Sequence, residues 1–182
     1  LGFHTEAVPL EVRRAIGMAI DRDALIAAKL EGRAHVSESW IPTGHWAEVP
    51  LEPRAFDPAA ARRTIAEAGW TGRPLLLRTS SDRFRVAIAR AIAAMLGEVG
   101  LEVDVRPSET ATLIADLNRG GFELCVLQVP EVFEPHVLSW FFGSDRIPTP
   151  DHPGANRWRL RDGALDEALE RGRPPPSREA RN

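Results

Sequence analysis

The middle of the chain alternates between strand-like and helix-like segments, and this pattern restricts the fold more than any other feature. Apolar residues predict strands at Pro74–Thr79, Leu101–Arg106 and Phe122–Val129, and two amphipathic segments, Phe84–Glu98 and Thr110–Arg119, separate them. Strands separated by helices of this length usually pair in parallel within one sheet. We therefore expect an α/β fold in layers, with a mixed, partly parallel sheet flanked by helices.

Further helices are predicted before this alternation. Val12–Ile26 carries apolar side chains at three- and four-residue spacing, which places them on one helical face. The pattern breaks at Asp21-Arg22-Asp23, where Asp21 or Asp23 would cap a second helical turn. Asp57 is a typical N-cap for another helix over Ala59–Ala68.

The length of 182 residues and the hydrophobic content of 43% suit one packed domain. We expect a single α/β lobe over residues 1–172, with an irregular segment at 32–55 and a surface loop at 143–156. Residues 173–182 are polar and rich in proline, and we expect a flexible tail there. Shorter elements are predicted at Leu1–His4 (a strand), around His136–Phe142 and at Leu165–Leu169 (helices).

Composition excludes several classes of partner. The net charge is −3 and no stripe of Lys or Arg alternates with aromatic residues, so we expect no nucleic acid partner. No apolar run approaches the roughly 20 residues that span a bilayer. The chain begins without a basic or apolar leader, so we expect no signal peptide in this segment and a start inside a longer protein.

No motif predicts catalysis, a cofactor or a metal site. Cys125 is the single cysteine and lies in an apolar run, which favours a buried structural thiol. The five histidines show no metal-ligand spacing, and neither G-x-S-x-G, G-x-G-x-x-G nor a P-loop occurs. Arg157, Arg159 and Arg161 alternate as one exposed face of an extended segment would.

Six blocks of sequence, in order, resemble the family 5 extracellular solute-binding proteins, the dipeptide, oligopeptide and nickel receptors of ABC importers. The blocks are VRRAIGMAIDRDALI (12–26), FDPAAARRTIAEAGW (56–70), LLLRTSSDRFRVAIARAIAAMLGEVGLEVDVRP (75–107), GGFELCVLQ (120–128), EPHVLSWFFGSD (134–145) and NRWRLRDGALDEALERG (156–172). Each block is loose by itself, but six in the family's order are specific.

The resemblance implies a periplasmic-binding-protein-like lobe, namely the second of the two lobes that close on a ligand in this family. The expected partners are a small-molecule or peptide ligand, the membrane permease subunits of an ABC importer and a missing N-terminal lobe. The expected location is periplasmic, or extracytoplasmic with a membrane anchor. The alternative function is the ligand-sensing domain of a transcription regulator built on the same binding fold.

Ligands of open α/β sheets usually lie at the carboxyl ends of the strands, which directs attention to the loop after Val129. In peptide-binding relatives an aspartate of this loop pairs with the ligand's ammonium, so the resemblance implies that Glu131 or Glu134 supplies the anion here. Phe133 of the same loop is also predicted to contact ligand. The alternative is that both glutamates are solvated loop carboxylates.

The segment SWIPTGHW resembles a family loop that borders the cleft. Its tryptophans, Trp40 and Trp46, are therefore predicted to offer aromatic surface to a ligand. The competing interpretation is that both cover the edge of the lobe's core, which is common for tryptophan.

Overall fold

A four-stranded sheet organises the chain in the computed structural model, which describes residues 1–70, 73–128, 134–152 and 154–172. The strands are β1 Gly2–Phe3, β2 Leu75–Ser80, β3 Val103–Ser108 and β4 Leu124–Val126, in the order β1-β4-β2-β3. β2 pairs in parallel with both β3 and β4, whereas β1 pairs antiparallel with β4. The predicted mixed, partly parallel sheet is confirmed.

Helices flank this sheet. In the described ranges they are α1 Leu10–Ala19, α2 Arg22–Leu30, α3 Pro58–Glu67, α4 Arg83–Glu98, α5 Thr110–Arg119, α6 Leu138–Phe142 and α7 Gly163–Arg171, with 3₁₀ turns at Pro135–Val137 and Ser144–Arg146. None of these helices has the length and apolarity needed to cross a membrane.

Aspartate caps decide where several helices begin. The predicted break between α1 and α2 is present, and Asp21 rather than Asp23 is the cap, accepting a hydrogen bond from Ala24 N at 2.9 Å. Asp57 accepts from Ala60 N at 2.8 Å and starts α3, as predicted. At the other end of the chain, Asp162 caps α7, which extends that helix beyond the predicted Leu165–Leu169.

The two faces of the sheet cover different cores, because successive strand residues point to opposite sides. On the first face, Leu75, Leu77 and Leu124 pack with buried apolar residues of α1, α3 and α4. On the second face, Cys125 packs with Trp158 and with side chains of α5. Burial raises the pKa of the Cys125 thiol to about 12, so this cysteine is a protonated core residue, as the sequence predicted.

Two predicted strands have different bounds in the structure. β3 begins two residues later than predicted, because Leu101 instead ends the turn after α4, where its N–H donates to Leu96 O at 3.0 Å. β4 is shorter than predicted and starts after Glu123, whose side chain accepts from Leu76 N at 2.9 Å. Val129, the predicted end of this strand, lies outside the described residues, as does the tail 173–182.

Candidate functional site

The carboxyl ends of β2, β3 and β4 meet at one edge of the sheet, where a ligand of an α/β fold is expected. The side chains there bind one another. Ser81 Oγ donates to Glu109 Oε1 at 2.9 Å, and the Arg85 guanidinium donates to Gln128 Oε1. The described side chains of this edge thus satisfy much of their own hydrogen bonding.

A pocket of about 560 Å³ lies beside this edge, against β1, and we call it the β1 pocket. Its size falls within the range of about 300–1,000 Å³ that small-molecule sites occupy. The described residues that line it are Leu1, Gly2, Phe3, Thr5, Arg13, Ser37, Ser39, Trp40, Pro42, Leu127, Phe142, Trp158 and Leu160.

Aromatic rings form one wall of the β1 pocket. The Trp40 ring meets Phe142 edge-on with centroids 4.8 Å apart, and it lies 6.2 Å from the Trp158 ring. Trp158 packs so closely on β1 that a Cβ at Gly2 would stand 2.0 Å from its ring. Gly2 is therefore required for this wall, because any larger residue would push the indole out of place.

An ion pair holds the irregular segment that carries Trp40. Arg22 of α2 contacts Glu38 at 2.8 Å, and both side chains are partly exposed. The hydrogen bond from Arg22 holds the pKa of the Glu38 carboxyl below its usual value. Because Glu38 is two residues from Trp40, this pair fixes the pocket wall to the helical layer.

Trp158 is held in place from the amino-terminal end of the chain. Thr5 Oγ1 donates to the carbonyls of Trp158 and Arg159, each at 2.9 Å, and Thr5 N donates to Trp158 O at 2.9 Å. These bonds join residues more than 150 positions apart in sequence. They fix the indole, which is only 7% exposed, over β1.

The prediction that Arg157, Arg159 and Arg161 form one exposed face is wrong for two of them. Arg157 Nε donates to Asn118 Oδ1 at 2.8 Å, and the Arg159 guanidinium donates to Asn118 O at 2.9 Å. Only Arg161 is highly exposed, at 3.7 Å from Glu6. The segment is a turn rather than an extended strand, with Arg159 at a positive φ of 55°, and it packs Arg157 and Arg159 on the end of α5 instead of exposing them.

Asn156 anchors the segment that precedes Trp158, and it is completely buried. Its amide nitrogen donates to three carbonyls, those of Phe142 at 3.3 Å and of Gly143 and Leu160 at 2.9 Å each. Its Oδ1 accepts from Leu160 N at 3.1 Å. The predicted loop 143–156 is therefore tied into the fold through one side chain, and Phe142 of the pocket is tied with it.

Arg13 contributes the charge of the β1 pocket. Burial lowers the pKa of its guanidinium, and the neighbouring Arg14 lowers it further. Its Nε is buried without a hydrogen-bond partner, and neither Asp nor Glu is among the described lining residues. Among its described lining residues, the pocket thus combines apolar and aromatic walls with one cationic side chain.

The structure separates the predicted site residues. Trp40 lines the β1 pocket and also covers the second core, so both interpretations of its role apply to it. Trp46 is 76% exposed beside His45 and does not line the pocket. Glu134 is exposed at the start of a 3₁₀ turn, and Glu131 and Phe133 lie outside the described residues.

Sequence reasoning missed Arg13, Phe142 and Trp158 as pocket residues. The alternation of arginines with Trp158 and Leu160 was not a valid signal, because residues 157–158 form a turn and Arg159 has a positive φ. Across the described ranges, no group of three His, Cys, Asp or Glu side chains is arranged to hold a metal ion.

The family model of the bacterial extracellular solute-binding proteins, family 5 Middle, matches residues 8–147. The chain belongs to this family. The resemblance of the first five sequence blocks, which lie within the matched residues, is thereby confirmed. These solute-binding proteins give no support to the alternative of a transcription regulator.

Curated relatives of this family 5 chain include transport receptors. It is 26% identical over 168 residues to the nickel-binding periplasmic protein of Escherichia coli K12, covering 82% of this chain and 32% of that protein. It is 29% identical over 190 aligned positions to a putative ABC transporter peptide-binding protein of Brucella ovis, covering 93% of this chain and 34% of that protein. The chain thus spans about a third of the length of these relatives.

Solved structures agree on the fold. The oligopeptide-binding protein AppA of Bacillus subtilis, in complex with a nonapeptide, superposes with a TM-score of 0.81 at 20% identity, over 98% of this chain and 39% of that one. NikA of Brucella suis, in complex with Fe(III)-EDTA, gives 0.77 at 26% identity, over 93% of this chain and 37% of that one. These superpositions confirm the predicted periplasmic-binding-protein-like lobe.

Proposed function

We propose that this chain is the substrate-binding lobe of a bacterial ABC importer receptor that takes up a small, peptide-like solute. The solute binds in the cleft between this lobe and an N-terminal lobe and is delivered to the membrane permease subunits. The protein acts without catalysis, in the periplasm or anchored outside the membrane. Membership of the solute-binding family and the peptide- and nickel-binding relatives support this assignment.

One observation carries the choice of an organic, peptide-like solute over a metal ion. The β1 pocket is large enough for a small molecule and is walled by Trp40, Phe142 and Trp158. Apolar walls with a few fixed polar groups are what small-molecule sites commonly present. A metal site would instead gather several His, Cys or carboxylate ligands.

The loop after β4 is proposed to supply further contacts with the solute. Glu131 or Glu134 pairs with the ammonium group of the solute, and Phe133 adds apolar surface. Trp46 contacts the solute from outside the β1 pocket, since its ring is exposed. A charge-assisted bond of this kind is strongest in a cleft from which water is excluded, which requires the second lobe.

The test is a titration of this chain with defined di- to pentapeptides and, separately, with NiCl₂, followed by calorimetry. Because half of a two-lobed clamp makes few contacts and cannot close, we expect weak peptide binding, with Kd of about 0.1–1 mM. Peptide binding in the nanomolar range would contradict the half-clamp interpretation. Binding of nickel but of no peptide would contradict the proposed solute.

Tryptophan variants locate the site within the same titration. Trp40→Leu should weaken peptide binding about tenfold, since Leu keeps apolar bulk but loses the aromatic wall. Trp140→Leu is the matched control, because Trp140 is exposed and does not line the β1 pocket. If Trp140→Leu weakens binding as much as Trp40→Leu, the solute binds elsewhere.

A further inference from the structure

Arg13 is a partly buried cation whose side chain has no partner in the described part of the chain. Its Nε is out of contact with water and makes no hydrogen bond, and burial lowers the pKa of the guanidinium. Taking a charge out of water is costly unless an opposite charge or hydrogen bonds replace the water. Because Arg13 also lines the β1 pocket, an anion bound in that pocket would supply the missing opposite charge.

The next residue along the helix shows the contrast. Arg14 is exposed and pairs with Glu11 at 2.8 Å on the outer side of α1. Arg13 is the one that lines the β1 pocket, and no acidic residue stands among that pocket's described lining. None of the described residues that line the pocket therefore offers a carboxylate to balance the charge of Arg13.

A second donor in the same wall lacks an acceptor. Trp158 is more than nine-tenths buried, and its indole Nε1 makes no hydrogen bond in the described ranges. Buried polar groups of native proteins nearly always have partners, so an orphaned donor calls for an explanation. Arg13 and Trp158 both line the β1 pocket, and both are donors.

We infer that the β1 pocket binds a small solute with one carboxylate and an apolar side chain, its carboxylate paired with Arg13 and its side chain among Trp40, Phe142 and Trp158. This inference rests on the proposed function, and it adds that this lobe binds the carboxylate group of the solute. One guanidinium among apolar walls suits a singly charged carboxylate better than a phosphate dianion, which needs more cationic partners.

The test compares N-acetyl-L-leucine with N-acetyl-L-leucinamide. These probes differ only in that one carries a carboxylate and the other a neutral amide, and neither has an ammonium group for the loop glutamates. The full chain is used with an acetylated amino terminus, because Leu1 also lines the pocket. Binding is followed by tryptophan fluorescence and by backbone amide chemical shifts.

We expect the acid to bind at least tenfold more tightly than the amide. Arg13→Gln should remove this preference, and Arg13→Lys should keep part of it, since lysine retains the charge but not the two-pronged geometry. Arg14→Gln, which removes the same charge one residue away, should leave the preference intact. Because Arg13 has no partner in the described part of the fold, Arg13→Gln should not lower the urea midpoint, whereas a purely structural role for this residue would lower it.

Equal binding of acid and amide to the unmodified chain would overturn the inference, and so would an unchanged preference in Arg13→Gln. A leucine-containing peptide separates this failure from failure of the proposed function. If that peptide binds the unmodified chain and Arg13→Gln equally well, the receptor function stands and the carboxylate site is wrong. If neither the peptide nor the acid binds the unmodified chain, both are wrong.

Discussion

The two faces of the sheet are built by different means. On the first face, the side chains of Leu75, Leu77 and Leu124 pack with α1, α3 and α4, whose inward positions are almost all apolar. On the second face, a smaller cluster around Trp158 is held by hydrogen bonds from Asn156, which is buried, and from Thr5, which is partly buried.

This difference explains where the pocket lies. Helices that pack along an apolar stripe leave little space, because protein interiors are close to crystal density. The second face is covered partly by irregular segments, and directional hydrogen bonds hold these segments at fixed distances without filling the space between them. The β1 pocket is part of that space, so binding is expected where polar bonds define the geometry.

The largest effect is expected from a cavity in the first face. Leu77→Ala should lower the free energy of unfolding by about 3 kcal/mol, because Leu77 is completely buried in the centre of β2. The measurement is urea unfolding followed by circular dichroism and tryptophan fluorescence together. Leu51→Ala is the control, since Leu51 is 53% exposed and its loss should cost less than about 0.5 kcal/mol. Similar costs for the two variants would contradict the account of the first face.

A slightly smaller and more local effect is expected on the second face. Asn156→Asp replaces the amide that donates to three carbonyls with an oxygen that cannot donate. We expect a cost of about 2 kcal/mol and faster hydrogen exchange of the amides between residues 143 and 160.

Asn118 provides the matched control for this change. Its side-chain oxygen accepts from Arg157 Nε, and aspartate keeps that acceptor, so Asn118→Asp should leave exchange nearly unchanged. If exchange accelerates equally in both variants, or over the first face as well, the two faces are not independently organised.

The smallest effect is a pH dependence of stability caused by His4, which follows β1 and whose ring contacts Phe122. Burial is the main cause that lowers the pKa of His4, and Arg159 adds to it, whereas Glu6 and Glu123 act in the opposite direction. The His4 Nδ1 also accepts from Ala7 N at 3.2 Å, which the imidazolium cannot do. The unfolded chain therefore takes up this proton first as the pH falls.

The sign of the effect follows from linkage. Stability from neutral His4 is fully present above the unfolded pKa of about 6.5 and declines as the pH falls towards the lower folded pKa. The urea midpoint of the unmodified protein should decrease as the pH is lowered from 7.5 to 5.5. The decrease should be smaller in His4→Asn, whose amide oxygen can replace Nδ1 as acceptor. Equal falls in the two proteins would show that His4 is not the source.

Much of the fold was predictable because its signals are local. α5 has the predicted bounds Thr110–Arg119, and α4 starts one residue before the predicted Phe84. Both depend on residues within one or two helical turns, including the cap Asp82 and the left-handed Gly120. The family was also predictable, since its blocks are short strings in fixed order.

The pocket was predictable only in part. Trp40 was found through its resemblance to a cleft-bordering loop, yet Trp46, in the same loop, lies outside the β1 pocket. Arg13 stands in the helix block with the strongest resemblance. Helical spacing places Arg13 at the edge of the apolar face and Arg14 on the opposite side, but nothing within that block shows that a pocket lies beside Arg13. The difference arises because one arginine faces a space formed by segments 37–42 and 158–160, while the other faces water.

The sequence by itself determined the helices, the strands, their caps and the family, because these depend on spacing and on side chains a few positions apart. Only the tertiary structure decided which side chains share the pocket. Thr5 and Trp158 are separated by 153 positions and meet through hydrogen bonds that no periodicity encodes. The unpaired charge of Arg13 has meaning only once the segments around it are in place.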